Sequence, residues 1–333
     1  MIGRRDVESL LDRFGEQNIL VVGDLMLDRY VSGTVTRISP EAPVPVVRVT
    51  REHALPGGAA NVGVNIRALG GAVSVAGIIG TDRAGDELLE MLAGRGIGTE
   101  AVLRSAAVQT SVKTRVMAER QQVVRVDREG SGEMPESVTA EFCGIVEGMI
   151  DRATGVIIED YGKGSVSAAA AAAVLSTAAA CGVAVGLDPK DNHELPVRGI
   201  ALATPNYAEA CSAAGLTTRE ITDPPDGDPR LAEAGRILME KWNPDFLIIT
   251  LGAHGMYLLG KDEPPRVIPT RAREVFDVSG AGDTVIAVAM LALAAGASHY
   301  EAAALANYAA GVVVGKVGTA TCSPDELINA VVG

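Results

Sequence analysis

Short apolar runs alternate with longer helical segments through most of the chain. The later runs are continuously apolar, as in strands buried on both faces, and we predict such strands at 155–158, 183–187, 200–204, 246–250 and 256–259. The segments between and after them predict helices near 138–151, 166–181, 206–214, 228–242, 283–295, 299–314 and 324–331. Strands that alternate with helices predict an α/β fold whose mostly parallel sheet is covered on both faces.

The first 130 residues mix this pattern with two strand-rich inserts. Helices are predicted over 4–14, 57–70 and 86–93, and buried strands over 18–24 and 73–79. Between them, the stretches of about 30–52 and 108–128 are rich in Val at alternating positions, and the first also contains prolines. We expect these two inserts to form one small accessory sheet beside the main domain.

One uncharged stretch is long enough for either a membrane-spanning helix or a buried helix of the core. Residues 165–187 carry no charged side chain, but they are mostly Ala with interspersed Ser, Thr and Gly. Alanine gains little from transfer into lipid, so this stretch predicts a buried helix that leads into a strand.

Composition and charge narrow the class of function. The 333 residues include 29 Lys and Arg against 42 Asp and Glu, a formal net charge of −13. An acidic surface disfavours a nucleic-acid partner but permits a local basic pocket for a small anion. The four cysteines form no CxxC pair, and no apolar signal segment follows the N-terminal arginines. We therefore expect a cytoplasmic enzyme with reduced cysteines and no membrane anchor.

The stretch 277–284, Asp-Val-Ser-Gly-Ala-Gly-Asp-Thr, is the most informative motif. It precedes an apolar helix, and its glycines leave the N–H groups of Gly280, Ala281 and Gly282 free to bind an anion at the helix N-terminus. Asp283 in that turn is a candidate general base beside a transferring phosphoryl group. A plain helix N-cap is an equally good interpretation of this motif taken alone. The sequence contains neither a P-loop nor a GxGxxG motif after the first strand that would offer another phosphate-binding site.

Two weaker motifs accompany it. Gly57 and Gly58 begin a helix that carries Asn61 one turn on, which suits sugar hydroxyls, although a simple turn explains it as well. Asn206 and Glu209 follow a predicted strand and share one face of a first helical turn. They are suited to orient water around Mg²⁺ on a nucleotide, or to cap the helix.

Taken together, these stretches resemble the ribokinase-like (pfkB) family of carbohydrate kinases along nearly the whole chain. The regions 57–80 and 277–287 match the family's two signature patterns in the expected order. A closer resemblance is to the branch that phosphorylates D-glycero-β-D-manno-heptose 7-phosphate, and it rests on the stretches 22–30, 37–46, 120–127, 160–164, 188–190, 283–287 and 310–319. The resemblance implies a three-layer α/β sandwich with a small β-rich lid.

The implied reaction is transfer of the ATP γ-phosphoryl group to the anomeric hydroxyl, giving the 1,7-bisphosphate used in ADP-heptose and lipopolysaccharide core synthesis. The resemblance makes Asp283 the base and residues 280–282 the anion hole. It implies ATP and Mg²⁺ near Asn206, Glu209 (through water), Thr250 and Gly252, with Lys190 facing phosphate. It implies sugar contacts at Asp24, Asp28, Gly57, Gly58 and Asn61. A K⁺ loop would include Asp277 and Ser279, but Cys322 stands where a hydroxyl is often seen.

The second insert is locally basic. Residues 108–128 hold five basic residues, Lys113, Arg115, Arg120, Arg125 and Arg128, against two acidic ones. We expect Lys113, Arg115 and Arg125 to bind the distal phosphate of a sugar phosphate, with a solvated strand face as the alternative.

We expect one kinase domain over 1–333, with the two inserts as its lid. None of the four histidines lies in the HxGH motif of a nucleotidyltransferase, so no such domain is expected. Because a small Val-rich sheet is marginal alone, we expect a homodimer that pairs two lids. Two alternatives stay open: a kinase for another sugar, such as ribose or fructose 1-phosphate, and a catalytically silent sugar-binding protein on the same fold.

Overall fold

The chain folds into alternating strands and helices, as the sequence predicts. A computed structural model describes residues 2–119, 121–130, 134–261, 263–272, 275–316 and 318–332. The strands are β1 (Asn18–Gly23), β2 (Leu25–Ile38), β3 (Pro45–Gly58), β4 (Ala72–Gly80), β5 (Gly98–Ser105), β6 (Ser111–Ala118), β7 (Gln121–Arg128), β8 (Gly155–Glu159), β9 (Ala184–Asp188), β10 (Leu202–Ala203), β11 (Phe246–Thr250), β12 (Met256–Gly260) and β13 (Glu263–Ile268). The α-helices are α1 (Arg4–Phe14), α2 (Ala59–Ala68), α3 (Arg83–Ala93), α4 (Glu136–Ile150), α5 (Ala168–Cys181), α6 (Tyr207–Ala213), α7 (Pro229–Trp242), α8 (Ala281–Ala294), α9 (His299–Val314) and α10 (Pro324–Val332).

The central sheet has the order β13-β12-β11-β10-β9-β8-β1-β4-β5. All its neighbouring strands pair in parallel, except that β12 is antiparallel to both β11 and β13. The edge strands β5 and β13 were not predicted, because an edge strand needs few apolar residues and theirs are sparse. The strand predicted at 200–204 is reduced to the two residues of β10, although backbone hydrogen bonds from Ala201 and Thr204 to β9 flank it on both sides.

Helices cover both faces of this sheet, which confirms the three-layer α/β sandwich. In β1, Ile19 and Val21 join one buried cluster, whereas Leu20 and Val22 join the other. Residues from α1–α3 and α8–α10 pack in the first cluster, and residues from α4–α7 pack in the second. The uncharged stretch forms α5 and β9, as expected for a buried helix that leads into a strand. Within the ranges given above, no helix is long and apolar enough to cross a membrane.

The two inserts form a separate four-stranded sheet, which confirms that they come together. Its order is β3-β2-β6-β7, and we call it the accessory sheet. The first insert is longer than predicted, because β2 starts at Leu25 and β3 continues to Gly58. The base of this hairpin is buried against the main domain, whereas most of its far half is exposed. The accessory sheet is therefore anchored where β2 and β3 meet the central sheet.

The packing of β8 allows a matched test of core stability. Val156 is fully buried in β8, whereas Val332 at the end of α10 is 58% exposed. Val156→Ala should lower the free energy of unfolding by about 2 kcal/mol, because buried methyl groups are lost and a cavity remains. Val332→Ala, the same chemical change, should cost less than about 0.5 kcal/mol. Urea unfolding measures both, and equal losses would contradict the assigned core.

Candidate active site

Several polar side chains lie where parallel strands end at one edge of the central sheet. The parallel register pairs Gly23 of β1 with Glu159 of β8, and Glu159 with Asp188 of β9. Carboxyl ends of neighbouring parallel strands share one edge, which is where α/β proteins bind ligands. Asp24 follows β1 directly, and Glu159 and Asp188 are the last residues of their strands. The edge is therefore strongly acidic.

Asp283 lies in the first turn of α8 with a hydrogen-bond donor on each carboxylate oxygen. The side-chain amide of Asn61 donates to Oδ2 over 2.6 Å, and the hydroxyl of Tyr161 donates to Oδ1 over 2.7 Å. Only 5% of Asp283 is exposed. Burial raises the pKa of Asp283, and the hydrogen bonds from Tyr161 and Asn61 oppose that rise. A carboxylate in this position is suited to accept a proton.

Gly280, and not Asp283, is the N-cap of α8, so the interpretation of Asp283 as a plain N-cap is wrong. Gly280 has a φ of 77°, and a Cβ there would stand 2.7 Å from the Asn61 amide nitrogen. Glycine is thus needed for both the turn and the approach of Asn61 to Asp283.

The expected anion hole needs one correction. The Ala281 N–H donates to the Val278 carbonyl over 3.2 Å, because the chain makes a tight turn there. The sequence had suggested that the Ala281 N–H group is free, and this expectation is wrong. The N–H groups of Gly280 and Gly282 have no acceptor within the ranges that the structure describes. These two groups remain the candidates for binding an anion at the N-terminus of α8.

A second hydrogen-bond chain joins α2 to α8 beneath the base. The Asn65 amide donates to the Asn61 carbonyl over 2.9 Å, and the Thr284 hydroxyl donates to Asn65 Oδ1 over 3.0 Å. Sequence reasoning missed Asn65, Thr284 and Tyr161 as site residues. The sequence did contain a signal for Asn65, because Asn61 and Asn65 are one turn apart on an otherwise apolar helix.

Asp24 organises the loop after β8. Its carboxylate accepts backbone hydrogen bonds from Tyr161 and Lys163 on Oδ2 and from Ser165 on Oδ1, at 2.9 to 3.0 Å. Only 1% of the residue is exposed. The sugar contact that the sequence suggested for Asp24 stays a prediction, and its observed contacts hold the loop that carries Tyr161.

Asp28 and the glycine pair lie where the accessory sheet meets the site. Arg115 donates to Asp28 Oδ1 over 2.7 Å, and both side chains are mostly buried. A Cβ on Gly57 would stand 2.8 Å from Asp28 Oδ2, so this backbone approaches the carboxylate more closely than any other residue type would allow. Gly58 has a φ of 58° and is the N-cap of α2, the helix that bears Asn61. The Gly57–Gly58 turn thus brings Asp28 and Asn61 to the same site.

The basic residues of the second insert do not all point the same way. The Lys113 ammonium lies 5.3 Å from the centroid of the Tyr161 ring, and burial lowers the pKa of Lys113 while the charge of Asp28 opposes that shift. Arg125 lies directly opposite Arg115 and shares its face of the sheet, but its guanidinium is about half exposed and forms two 2.9 Å hydrogen bonds with Asp127. Arg128 lines a different groove, beside α3, and Arg120 lies outside the described residues. The structure therefore brings Lys113 and Arg115 to the site.

The expected nucleotide side gathers around the start of α6. Asn206 and Glu209 form a capping box, in which each side chain accepts the other's backbone N–H over 2.9 Å. Thr250 forms an isolated parallel bridge with Asn206, and Gly252 begins an exposed turn just beyond it. The exposed Lys190 lowers the pKa of Glu209 by its charge, against a larger rise caused by burial. Asn206 and Glu209 therefore cap the helix, and the second carboxylate oxygen of Glu209 lies outside the capping box.

Two acids, Glu159 and Asp188, lie between this nucleotide side and Asp283. Glu159 is fully buried, and within the described part of the chain no N–H or O–H donor reaches its carboxylate oxygens, which lie within hydrogen-bond reach of the Asp188 carboxyl group. Burial raises the pKa of Glu159 and of Asp188, and the charges of neighbouring acids, including Glu209 and Asp283, raise these pKa values further. A proton shared by these two carboxyl groups, or a cation beside them, would relieve the repulsion between them.

That cation would need ligands from elsewhere. Among the residues with assigned positions, no group of three or more His, Cys, Asp or Glu is arranged to hold a metal ion alone. Mg²⁺ is usually bound through one or two carboxylates together with substrate phosphates and water. The observed acids fit that mode.

The loop expected for K⁺ is held by hydrogen bonds. Asp277 accepts the backbone N–H of Ser279 over 2.9 Å and that of Gly318 over 3.1 Å. Cys322 is buried in the core, and burial raises the pKa of its thiol to about 12. The thiol therefore stays protonated and is a poor substitute for a hydroxyl ligand. The K⁺ expectation stays a prediction.

Comparisons with known proteins agree with this geometry. The profile described as "pfkB family carbohydrate kinase" matches residues 16–326. The "Bifunctional protein HldE" of Geobacter metallireducens is 44% identical over 98% of this chain, and that of Azotobacter vinelandii is 46% identical over 96%. The chain spans 65% of the length of each of these relatives.

Solved structures share the fold at lower identity. Arabidopsis thaliana ribokinase, complexed with ribose and ATP, matches with a TM-score of 0.75 and 21% identity, covering 95% of this chain and 98% of its own. Escherichia coli phosphofructokinase-2 in complex with potassium matches with a TM-score of 0.77 and 20% identity over the same shares. The family profile and the curated relatives cover almost all of this chain, and it therefore belongs to the pfkB family of carbohydrate kinases.

Proposed function

We propose that this chain transfers the γ-phosphoryl group of ATP to the anomeric hydroxyl of D-glycero-D-manno-heptose 7-phosphate. The observation that carries the proposal is the buried carboxylate of Asp283, held by Asn61 and Tyr161 beside the N-terminus of α8. The heptose branch motifs and the similarity to the HldE proteins support the choice of sugar. The product, a 1,7-bisphosphate, would serve ADP-heptose and lipopolysaccharide core synthesis in the cytoplasm, where ATP is available.

Each group of site residues has a separate role in the proposed reaction. Bound ATP supplies the phosphoryl group, and Mg²⁺ neutralises its charge. Asp283 accepts the proton of the sugar hydroxyl, and the N–H groups of Gly280 and Gly282 bind the anionic oxygens. Glu209, with Asp188, would hold Mg²⁺ through water. The groups that would contact the nucleotide phosphates are Lys190, Asn206, Thr250 and Gly252. Asp24, Asp28 and Asn61 line the sugar, with the Gly57–Gly58 backbone beside them.

A silent sugar-binding protein is the weaker candidate. Such a protein has no need for a buried base at a helix N-terminus, because burying a carboxylate costs free energy that sugar binding alone does not require. Here Asp283 is buried, and the N–H groups of Gly280 and Gly282 have no acceptor among the residues that the structure describes. Sugars such as ribose or fructose 1-phosphate are tested in the assay below.

Asp283→Asn should abolish phosphorylation of heptose 7-phosphate while leaving ATP and sugar affinities within a few-fold. The amide keeps the shape of the carboxylate but cannot accept the proton. Coupled ADP-release kinetics and calorimetric titration measure the two effects. A fall in turnover of less than about tenfold would place the base elsewhere.

Lys113 and Arg115 should account for a preference for the phosphorylated sugar. Each charge-assisted contact to the 7-phosphate is worth about ten- to a hundredfold in affinity. In Lys113→Ala and Arg115→Ala, the ratio of kcat/KM for heptose 7-phosphate to kcat/KM for free heptose should fall by that factor. Arg128→Ala is the matched control, because its side chain lines the groove beside α3. If the parent enzyme prefers free heptose, ribose or fructose 1-phosphate, the proposed substrate is wrong.

We also propose a homodimer formed through the accessory sheet. This sheet and the loop between β2 and β3 expose several apolar side chains: Val35, Ile38, Val44, Val49, Val123, Val124 and Val126. Neighbouring exposed apolar residues on a small sheet favour association, because pairing two sheets removes them from water.

The dimer makes a separate prediction. Light scattering at micromolar concentration should give twice the mass of the chain for the parent protein and the single mass for Val124→Asp/Val126→Asp, since these neighbours on β7 share one face. Val332→Asp, at an exposed valine of α10, should stay dimeric. A monomeric parent would refute the proposed assembly.

A further inference from the structure

The hydroxyl of Tyr161 occupies a hydrogen-bonding position on Asp283, the kind of position that the hydroxyl of a substrate would also use. It donates to Asp283 Oδ1 over 2.7 Å, while Asn61 donates to Oδ2 over 2.6 Å. A general base must come within hydrogen-bond reach of the proton that it removes, about 2.6–3.2 Å between heavy atoms. Each oxygen of the candidate base already has one donor and could accept a second, but only 5% of Asp283 is exposed, so a substrate hydroxyl reaches the carboxylate only if one of these donors makes room.

The two donors differ in their freedom to leave. Asn61 belongs to α2, is 2% exposed, and is braced by Asn65 through its carbonyl oxygen. Tyr161 belongs to the loop after β8, where Gly162 and Gly164 both have positive φ values, 65° and 103°. Asp24 anchors the backbone N–H of Tyr161, so the side chain can turn about its own bonds while the loop stays in place. Tyr161 is therefore the donor that can be exchanged.

The chemistry of the phenol suits a removable donor. Burial raises the pKa of Tyr161 well above its ordinary value, and the neighbouring charge of Asp283 raises it further. The hydroxyl thus stays protonated, donates to the carboxylate, and leaves as a neutral group. On its ring lies the Lys113 ammonium of the accessory sheet, 5.3 Å from the centroid. The tyrosine is in contact with the sheet that would cover the sugar.

We propose that Tyr161 is a gate on the base: its hydroxyl covers Asp283 until the acceptor hydroxyl of the sugar replaces it. This inference rests on the proposed function. When the sugar is bound, its O–H proton passes to Asp283, its oxygen bonds to the γ-phosphorus, and the bond between the β,γ-bridging oxygen and that phosphorus breaks to release ADP. With no sugar present, the gate keeps water from taking the same place, where it would convert ATP to ADP and phosphate.

Tyr161→Phe tests the gate by two measurements. Sugar-independent ATP hydrolysis should rise about three- to tenfold, as expected for the loss of one hydrogen bond that competes with water. Heptose 7-phosphate, titrated calorimetrically without ATP, should bind more tightly by a similar factor, because it no longer displaces the phenol. The extra hydrolysis should vanish in Tyr161→Phe/Asp283→Asn, since it depends on the base.

Tyr257→Phe is the matched control, because that buried tyrosine packs against Gly235 of α7. It should change neither hydrolysis nor affinity, and thermal unfolding shows whether both variants are folded. Unchanged hydrolysis in a folded Tyr161→Phe, or a joint loss of hydrolysis, phosphorylation and sugar affinity, would overturn the gate and leave Tyr161 as a fixed positioning residue.

The gate and the proposed function fail in different ways. A parent enzyme that phosphorylates another sugar but not heptose 7-phosphate refutes the substrate, and the affinity measurement is then made with the sugar that reacts. A parent that phosphorylates heptose 7-phosphate, with a Tyr161→Phe variant that hydrolyses ATP no faster without sugar, refutes the gate alone.

Discussion

The carboxylate of Asp283 is buried at the start of α8, and much of the site serves to make that burial tolerable. A charged group removed from water is costly unless hydrogen bonds compensate it. Here the compensation comes from two parts of the chain far apart in sequence, Asn61 on α2 and Tyr161 after β8. Gly280 is needed as well, because any side chain at that N-cap would collide with the Asn61 amide. The base is therefore assembled only when α2, β8 and α8 have docked.

The accessory sheet depends on the same arrangement. Its strands β2 and β3 run directly out of the site, from Asp24 and into α2. The mostly buried pair Asp28–Arg115 fixes β6 to the base of β2, and Lys113 reaches the ring of Tyr161. A buried ion pair is better understood as a device that fixes geometry than as a source of stability. A movement of the accessory sheet would thus change the surroundings of Tyr161, the residue that donates to Asp283.

The acidic edge separates the two halves of the reaction. Glu159 and Asp188 end adjacent strands, and their pKa values are raised because burial and neighbouring negative charges both disfavour ionisation. A divalent cation on this side, brought with nucleotide phosphates, would reverse that balance and favour the ionised acids. On the other side, the side chains of Asn61 and Tyr161 donate hydrogen bonds to Asp283. In the proposed reaction, this row of strand ends would face a cation on one side and a sugar hydroxyl on the other.

The sequence by itself determined the alternation of strands and helices, the accessory sheet and the candidate base, because periodicity and glycine-rich turns are local signals. Asp283, Gly280, Asn61 and Glu209 could all be named from their motifs. Only the tertiary structure showed that Tyr161 covers Asp283 and that Arg125 pairs with Asp127. It also showed that the Ala281 N–H is already taken, by Val278. Such contacts join residues through the docking of separate elements, or through turn geometry, and neither spacing nor composition records which donor finally meets which acceptor.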